Sequence, residues 1–213
     1  MIRTRMALAL ALCSWLSLAA HAQESTPAAE SQPAAPPVAT VVGVVFQTSL
    51  GEIRVSLEPD RAPVTVANFL RYVDAKRFDG ISWYRALKLD PEGKYGLVQG
   101  GLQGDPKRMF KPIAHESPSV TGLRHVDGAI SMARLEPGSA TAEFFIIVGD
   151  LVSLDGAMDG SDPGYAVFGR VTQGMDIVRQ MLELPRDPQA GEGAMKGQML
   201  AEPVKVLSVR RAD

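Results

Sequence analysis

The sequence predicts a mainly β domain: a closed eight-stranded antiparallel β-barrel capped by two α-helices. Three observations lead there. Eight short apolar runs, several rich in β-branched residues, are separated by loops that contain Gly, Pro or Asp. Only two segments repeat their apolar residues at helical spacing. The composition, 46% hydrophobic and 22% charged, is that of an ordinary globular chain, which excludes collagen-like, coiled-coil and wholly disordered forms.

The barrel does not begin at the first residue. Residues 1–22 have the pattern of a secretory signal: Arg3 and Arg5 give a positive start, Met6 to Leu18 is almost unbroken apolar sequence, and Ala20-His21-Ala22 places small residues before a cut ahead of Gln23. The apolar run is short for a membrane span and has no stop-transfer flank, so no integral span is expected once the signal is removed. Cys13 lies inside the run behind Leu12, where a lipoprotein signal carries a small residue, so the expectation is a cleaved, unlipidated leader. Residues 23–40, rich in Ala, Pro, Ser and Thr and without apolar periodicity, form a flexible linker. The globular domain is then residues 41–213.

Within it, Val41, Val42, Val44, Val45 and Phe46 make the first strand, and Ser49-Leu50-Gly51 turns the chain. Ile53, Val55 and Leu57 alternate with Arg54, Ser56 and Glu58, the period-two pattern of a half-buried strand, so the pair reads as a hairpin. Val66, Phe69, Leu70 and Val73 fall on one face of a first helix, which ends before Gly80. Six more strands follow at Ile81 to Ala86, Leu97 to Gln103, Ala129 to Arg134, Phe144 to Val148, Ala166 to Val171 and Val204 to Val209. Met175, Val178 and Leu182 mark a second, shorter helix between Gly174 and Pro185. Lys88 to Tyr95, Gly149 to Gly164 and Arg186 to Pro203 read as long loops.

Residue types limit the chemistry. One cysteine, which the signal removes, gives neither an internal disulfide nor a thiolate metal cluster. Loss of the leader moves the formal charge from -2 to -4, and such a balance argues against nucleic acid as a partner, since neutralising phosphates needs a concentrated basic surface. His115, Glu116 and His125 follow no metal-ligand spacing, and Asp155, Asp159 and Asp162 lack the order of a calcium loop. No metal and no cofactor is expected.

Six blocks in fixed order carry a resemblance. They are Ala62 to Phe69, Trp83-Tyr84-Arg85, Gln99-Gly100-Gly101, Gly128 to Arg134, Glu143-Phe144-Phe145-Ile146 and Tyr165 to Val171. Together they resemble the cyclophilins, peptidyl-prolyl cis-trans isomerases, over nearly all of Val42 to Val209. The resemblance implies the same barrel, with a peptide lying extended across its outer face. It implies that Arg85 is the catalytic arginine with Gln99 beside it, and that Phe145 floors a proline pocket. By the same match Leu97, Met132, Ala133, Leu154, Glu143 and Tyr165 lie at or near the groove, and the Arg134 backbone pairs with the peptide.

These residue types suit that reaction. Turning a peptide bond costs about 18–20 kcal/mol because twisting destroys its partial double bond. Neither nucleophile nor metal is needed: an apolar pocket holds the proline, and a fixed donor binds the twisted amide better than the planar one. Arginine stays protonated and presents several donors in a rigid fork.

The chain also departs from the family. Tyr84 and Tyr165 replace usual histidines, Ser153 stands for a large aromatic, and the stretch from Arg85 to Gln99 is longer than usual. That insertion leaves Leu97 where an aromatic is expected, unless Tyr95 swings in. Glu143 replaces a glutamine, and either pairs with Arg85 in competition with substrate or orients it. Phe144 and Phe145 alternate faces, so one is core, and Met132 reads more readily as packing than as specificity. The expected activity is isomerisation of X-Pro bonds in exported proteins, assisting folding in the periplasm, with proline-containing polypeptides as partners and a monomer as the form. The alternative is a catalytically weakened proline-peptide-binding module or chaperone on the same barrel; retention of Arg85 favours the enzyme.

Overall fold

The computed structural model describes residues 40–157 and 159–212. The expected signal and most of the linker lie outside the described residues.

The elements run β1 (Val42–Thr48), β2 (Gly51–Leu57), α1 (Pro63–Asp74), β3 (Ser82–Lys88), β4 (Gly96–Gly101), α2 (Pro118–Thr121), β5 (Ala129–Met132), β6 (Phe144–Val148), β7 (Val167–Gln173), α3 (Met175–Glu183), β8 (Arg186–Asp187) and β9 (Met199–Arg211). The sheet order is β1-β2-β7-β5-β6-β4-β3-β9-β8, and β1 also pairs with β9, so eight strands close on themselves while β8 is a short addition to β9. Every pairing is antiparallel.

Period-two patterning decides which faces point inward. Val44 opposes Val55 and Phe46 opposes Ile53 in β1–β2, and all four are at most 1% exposed. Phe69 of α1 packs against Phe46, Phe78, Phe144 and Phe168, with ring centroids 5.0–6.1 Å apart. Offset and edge-on aromatic contacts of this kind add to plain area burial. Val178, Met181 and Leu182 give α3 its buried face against the sheet.

Three features differ from the sequence reading, the smallest being β8 within a stretch read as loop. A third helix, the single turn α2, begins at Pro118 behind the Ser117 cap and ends at Gly122, whose φ of +67° is the left-handed stop; four residues carry no periodicity to read. The last strand starts at Met199 and runs through Pro203, where the β3–β9 ladder skips from the Arg85–Met199 pair to Trp83–Val204. Proline has no N–H to give a ladder, and here it falls in the gap.

Glu116 has a structural place at α1. The residue before that helix, Ala62, offers no capping side chain, and Glu116 supplies one from afar. Its oxygens accept from Val64 N at 3.0 Å, Thr65 N at 2.8 Å and Thr65 Oγ1 at 2.6 Å. A carboxylate there satisfies orphan amides and faces the positive end of the helix.

Candidate active site

A β-bulge creates the site. Trp83 pairs with Gly100 and Arg85 with Gln99, so Tyr84 is the extra residue on β3. Trp83 and Ala86 point into the barrel, 1% and 0% exposed, and the two residues between them are left half-buried on its outer face. Register then sets a row across four strands: Arg85 opposite Gln99, Gln99 opposite Phe145, and Phe145 opposite Ser131. The row beside it, Ala86, Val98, Ile146 and Ile130, is 0% exposed and belongs to the barrel interior.

The outer row opens into a groove of about 660 Å³. Arg85, Gln99, Leu97, Phe145, Ala133, Arg134, Glu143, Leu154 and Tyr165 all line it, so nine of the expected site residues converge. Met132 does not. It is 1% exposed and pairs with Phe144 on the interior face, which corrects the expectation that it touches substrate. Tyr95 is not in the groove either; it packs at Gly149, and its loop is tied by Asp90, which accepts from Lys94 N and Tyr95 N. Leu87, Met109, Leu135, Met195 and Met199 add to the apolar lining instead. Ser153 is exposed and is not among the residues that line the groove.

Arg85 is held by neutral acceptors. Its Nη1 donates to Gln99 Oε1 at 2.6 Å, while Nε and Nη2 both donate to Gln198 Oε1 at 2.8 and 2.7 Å. Burial disfavours its charge and pulls its pKa down, with Tyr84 and Tyr165 acting the other way. The starting value is so high that the guanidinium stays protonated at any ordinary pH.

Glu143 does not pair with Arg85, contrary to one of the two expectations. Tyr84 donates its hydroxyl to Glu143 Oε2 at 2.6 Å, and Gln99 Nε2 donates to the Tyr84 oxygen at 2.7 Å. The carboxyl thus reaches the arginine only through Tyr84 and Gln99. Burial raises the Glu143 pKa above its ordinary 4.5, opposed by the Tyr84 hydroxyl and the nearby amides of Gln103, Gly104 and Leu102. Those amides face the carboxyl without completing a hydrogen bond to Oε1, which is buried and unpartnered. A carboxyl raised in this way adds stability below its unfolded value and loses it as pH climbs through the folded value. Wild type is therefore expected to lose stability relative to Glu143→Gln as pH rises from 4.5. Melting temperatures of the two proteins between about pH 4 and 8 check this, and a pH-independent difference would contradict the shift.

Phe145 is supported from behind. The His125 ring stacks under it at 6.1 Å and 12°, and Tyr165 meets its edge at 5.6 Å and 82°. His125 is 0% exposed, with Nδ1 at 2.7 Å from Asp155 Oδ1 and Nε2 at 3.0 Å from Ser131 Oγ. Desolvation lowers its pKa, partly offset by Asp155. Sequence reasoning weighed His125 only as a metal ligand. Its place beneath the floor depends on β5–β6 register, which the residue alone does not announce. Among the described residues no group of three or more His, Cys, Asp or Glu side chains is placed to hold a metal ion.

Arg134 uses its side chain for structure. Nε and Nη2 donate to the Gly164 carbonyl at 3.1 and 2.5 Å, and the guanidinium lies over the Tyr165 ring at 4.8 Å. This fastens the 149–164 loop beside the groove. The Arg134 N–H and C=O form no hydrogen bond among the described residues, consistent with the expectation that they face a peptide.

A family model described as cyclophilin type peptidyl-prolyl cis-trans isomerase/CLD matches residues 43–210. The peptidyl-prolyl cis-trans isomerase of Acinetobacter baylyi is 31% identical over 168 residues, 78% of this chain and 84% of that protein. Peptidyl-prolyl cis-trans isomerase A of Dickeya dadantii is 36% identical over 146 residues, 68% of this chain and 73% of its own. In fold, a crystal structure of a Cryptosporidium parvum cyclophilin type peptidyl-prolyl cis-trans isomerase covers 82% of this chain and 99% of its own, with a TM-score of 0.64 at 19% identity. The closed barrel, the ordered sequence blocks and these matches lead to one conclusion: the chain belongs to the cyclophilin-type peptidyl-prolyl cis-trans isomerases.

Proposed function

We propose that this chain isomerises X-Pro bonds with Arg85 as the catalytic donor and Gln99 as its partner, and that it does so on exported proteins folding in the periplasm. The observation that carries the chemistry is a clamped guanidinium beside an apolar groove floored by Phe145. A proline ring seated on Phe145 is held by apolar contact with Leu97 and Leu154 alongside. As the bond twists, its nitrogen regains a lone pair, and a guanidinium N–H donates to it. That interaction is absent from the planar ground state, so it lowers the barrier instead of merely tightening binding. Arg134 offers its free main-chain groups to hold the substrate backbone while one side of the bond rotates. A related Cryptosporidium parvum structure was solved in the presence of the dipeptide Ala-Pro, which fits this class of ligand.

The rate enhancement matters because uncatalysed X-Pro isomerisation takes tens to hundreds of seconds, long enough to limit folding. Export rests on residues 1–22 and the linker after them. Expression of the full chain in a Gram-negative host, followed by osmotic-shock fractionation and N-terminal sequencing, is expected to yield a periplasmic protein starting at Gln23. A cytoplasmic protein that retains Met1, or one carrying lipid, would contradict the export reading.

A further inference from the structure

We propose that Gln198, on the loop between β8 and β9, is a positioning residue for Arg85, so that this loop forms part of the catalytic apparatus. The proposal rests on Arg85 being the catalytic donor.

The contact is built from both sides. Gln198 Oε1 takes two N–H groups of one guanidinium, Nε at 2.8 Å and Nη2 at 2.7 Å, in a chelate that fixes the plane of the guanidinium as well as its position. Gln198 is itself tied down. Its Nε2 donates to Ala194 O at 2.6 Å, its backbone N–H donates to Met195 O at 3.1 Å, and its carbonyl accepts from Ala86 N at 3.0 Å, next to Arg85 in sequence. A residue whose side-chain amide and backbone N–H and C=O are all engaged is a rigid support.

Donor bookkeeping gives the support a purpose. Arginine has five N–H groups, and Gln99 and Gln198 together take three of them. One hydrogen on Nη1 and one on Nη2 are left for the substrate. Free arginine has several rotatable bonds, and ordering them during the reaction would raise the barrier; ordering them beforehand removes that cost.

The chemistry of the acceptors points the same way. Among the described residues Arg85 makes no salt bridge, and the oxygens that hold it belong to carboxamides. A carboxylate in either place would orient the guanidinium but neutralise the charge that a twisted amide senses. Glutamine orients it and leaves the charge intact. The same loop brings Met195 to the groove wall, and Met199, the first residue of β9, follows it there, so the segment contributes to the site as well as to the barrel.

The test compares Gln198→Leu, Gln198→Glu, Arg85→Ala and the Arg85→Ala/Gln198→Leu double variant by coupled isomerase assay on an X-Pro peptide, with melting temperatures beside the rates. Gln198→Leu is expected to lower kcat by about tenfold with KM little changed. In the Arg85→Ala background the same change is expected to have no further effect, because the support has nothing left to support. The Arg85 Nε–H resonance is expected to exchange slowly in wild type and in Gln198→Glu, which keeps an acceptor, and to be lost in Gln198→Leu. Wild-type turnover in a folded Gln198→Leu, or an equal loss in the presence and absence of Arg85, would overturn the proposal. Wild-type turnover in Arg85→Ala would overturn the catalytic reading beneath it, so the two failures are distinguishable.

Discussion

Arg85→Ala is expected to lower kcat/KM for X-Pro isomerisation by about 10²–10³, the range found when one preorganised donor is removed from a catalytic site. The whole loss is expected in kcat, since proline is held by Phe145, Leu97 and Leu154 and these stay in place. Folding is expected to survive. Arg85 sits on the outer side of the β3 bulge, while its neighbours Trp83 and Ala86, 1% and 0% exposed, keep the strand in the barrel. What is lost structurally is three hydrogen bonds at a half-buried position, whose acceptors Gln99 and Gln198 remain beside an open groove. Net hydrogen-bond contributions of about 1 kcal/mol each bound the destabilisation to a small part of the total. A protein that melts normally and isomerises normally would take Arg85 out of the chemistry.

The second large effect is at the floor of the pocket. Phe145→Ala is expected to destabilise the protein by about 3–5 kcal/mol, the cost typical of truncating a buried phenylalanine. Phe145 is 4% exposed and touches both His125 and Tyr165, so its loss leaves a hole between an edge-on tyrosine and a stacked imidazole that neither ring can fill. Where the variant remains folded, KM for proline peptides is expected to rise, because the ring that receives the proline is gone. Urea melts give the stability change, and initial rates at low temperature give KM. A Phe145→Ala protein that binds proline peptides as wild type does would place the proline elsewhere.

These expectations draw unequally on what the sequence makes legible. Alternation in Ile53, Val55 and Leu57 identified β2, the three-and-four spacing of Val66, Phe69, Leu70 and Val73 identified α1, and both stand in the structure. The ordered blocks brought Arg85, Gln99, Phe145, Ala133 and Tyr165 to one groove and the resemblance they carry added Leu154; all of them are found there. Met132 failed because neighbouring residues on a strand face opposite ways, and a match along the chain does not say which of Ser131 and Met132 points in. Glu143 lines the groove as expected, and only direct pairing with Arg85 is not found. Its replacement of a glutamine was visible, but its partner was not: Tyr84 lies 59 positions away and reaches it only because a bulge turns the tyrosine outward.

Gln198 was the least legible of all. It lies 113 positions from Arg85, in a stretch that reads as a returning loop, and only the β3–β9 pairing brings the two together. Nothing local marks that glutamine. His125 is similar, since its role is fixed by Ser131, Asp155 and Phe145, three residues from three different segments. Local patterning shows which elements form; long-range register decides which polar side chains meet.

The most direct measurement is two-dimensional exchange NMR on an X-Pro peptide with a catalytic amount of the protein. Cis and trans resonances are expected to exchange far faster than the uncatalysed tens to hundreds of seconds, with Arg85→Ala restoring slow exchange while the peptide still shows binding shifts. Peptide binding by the wild-type protein with exchange no faster than in its absence would contradict the account and identify the groove as a holding site for proline segments.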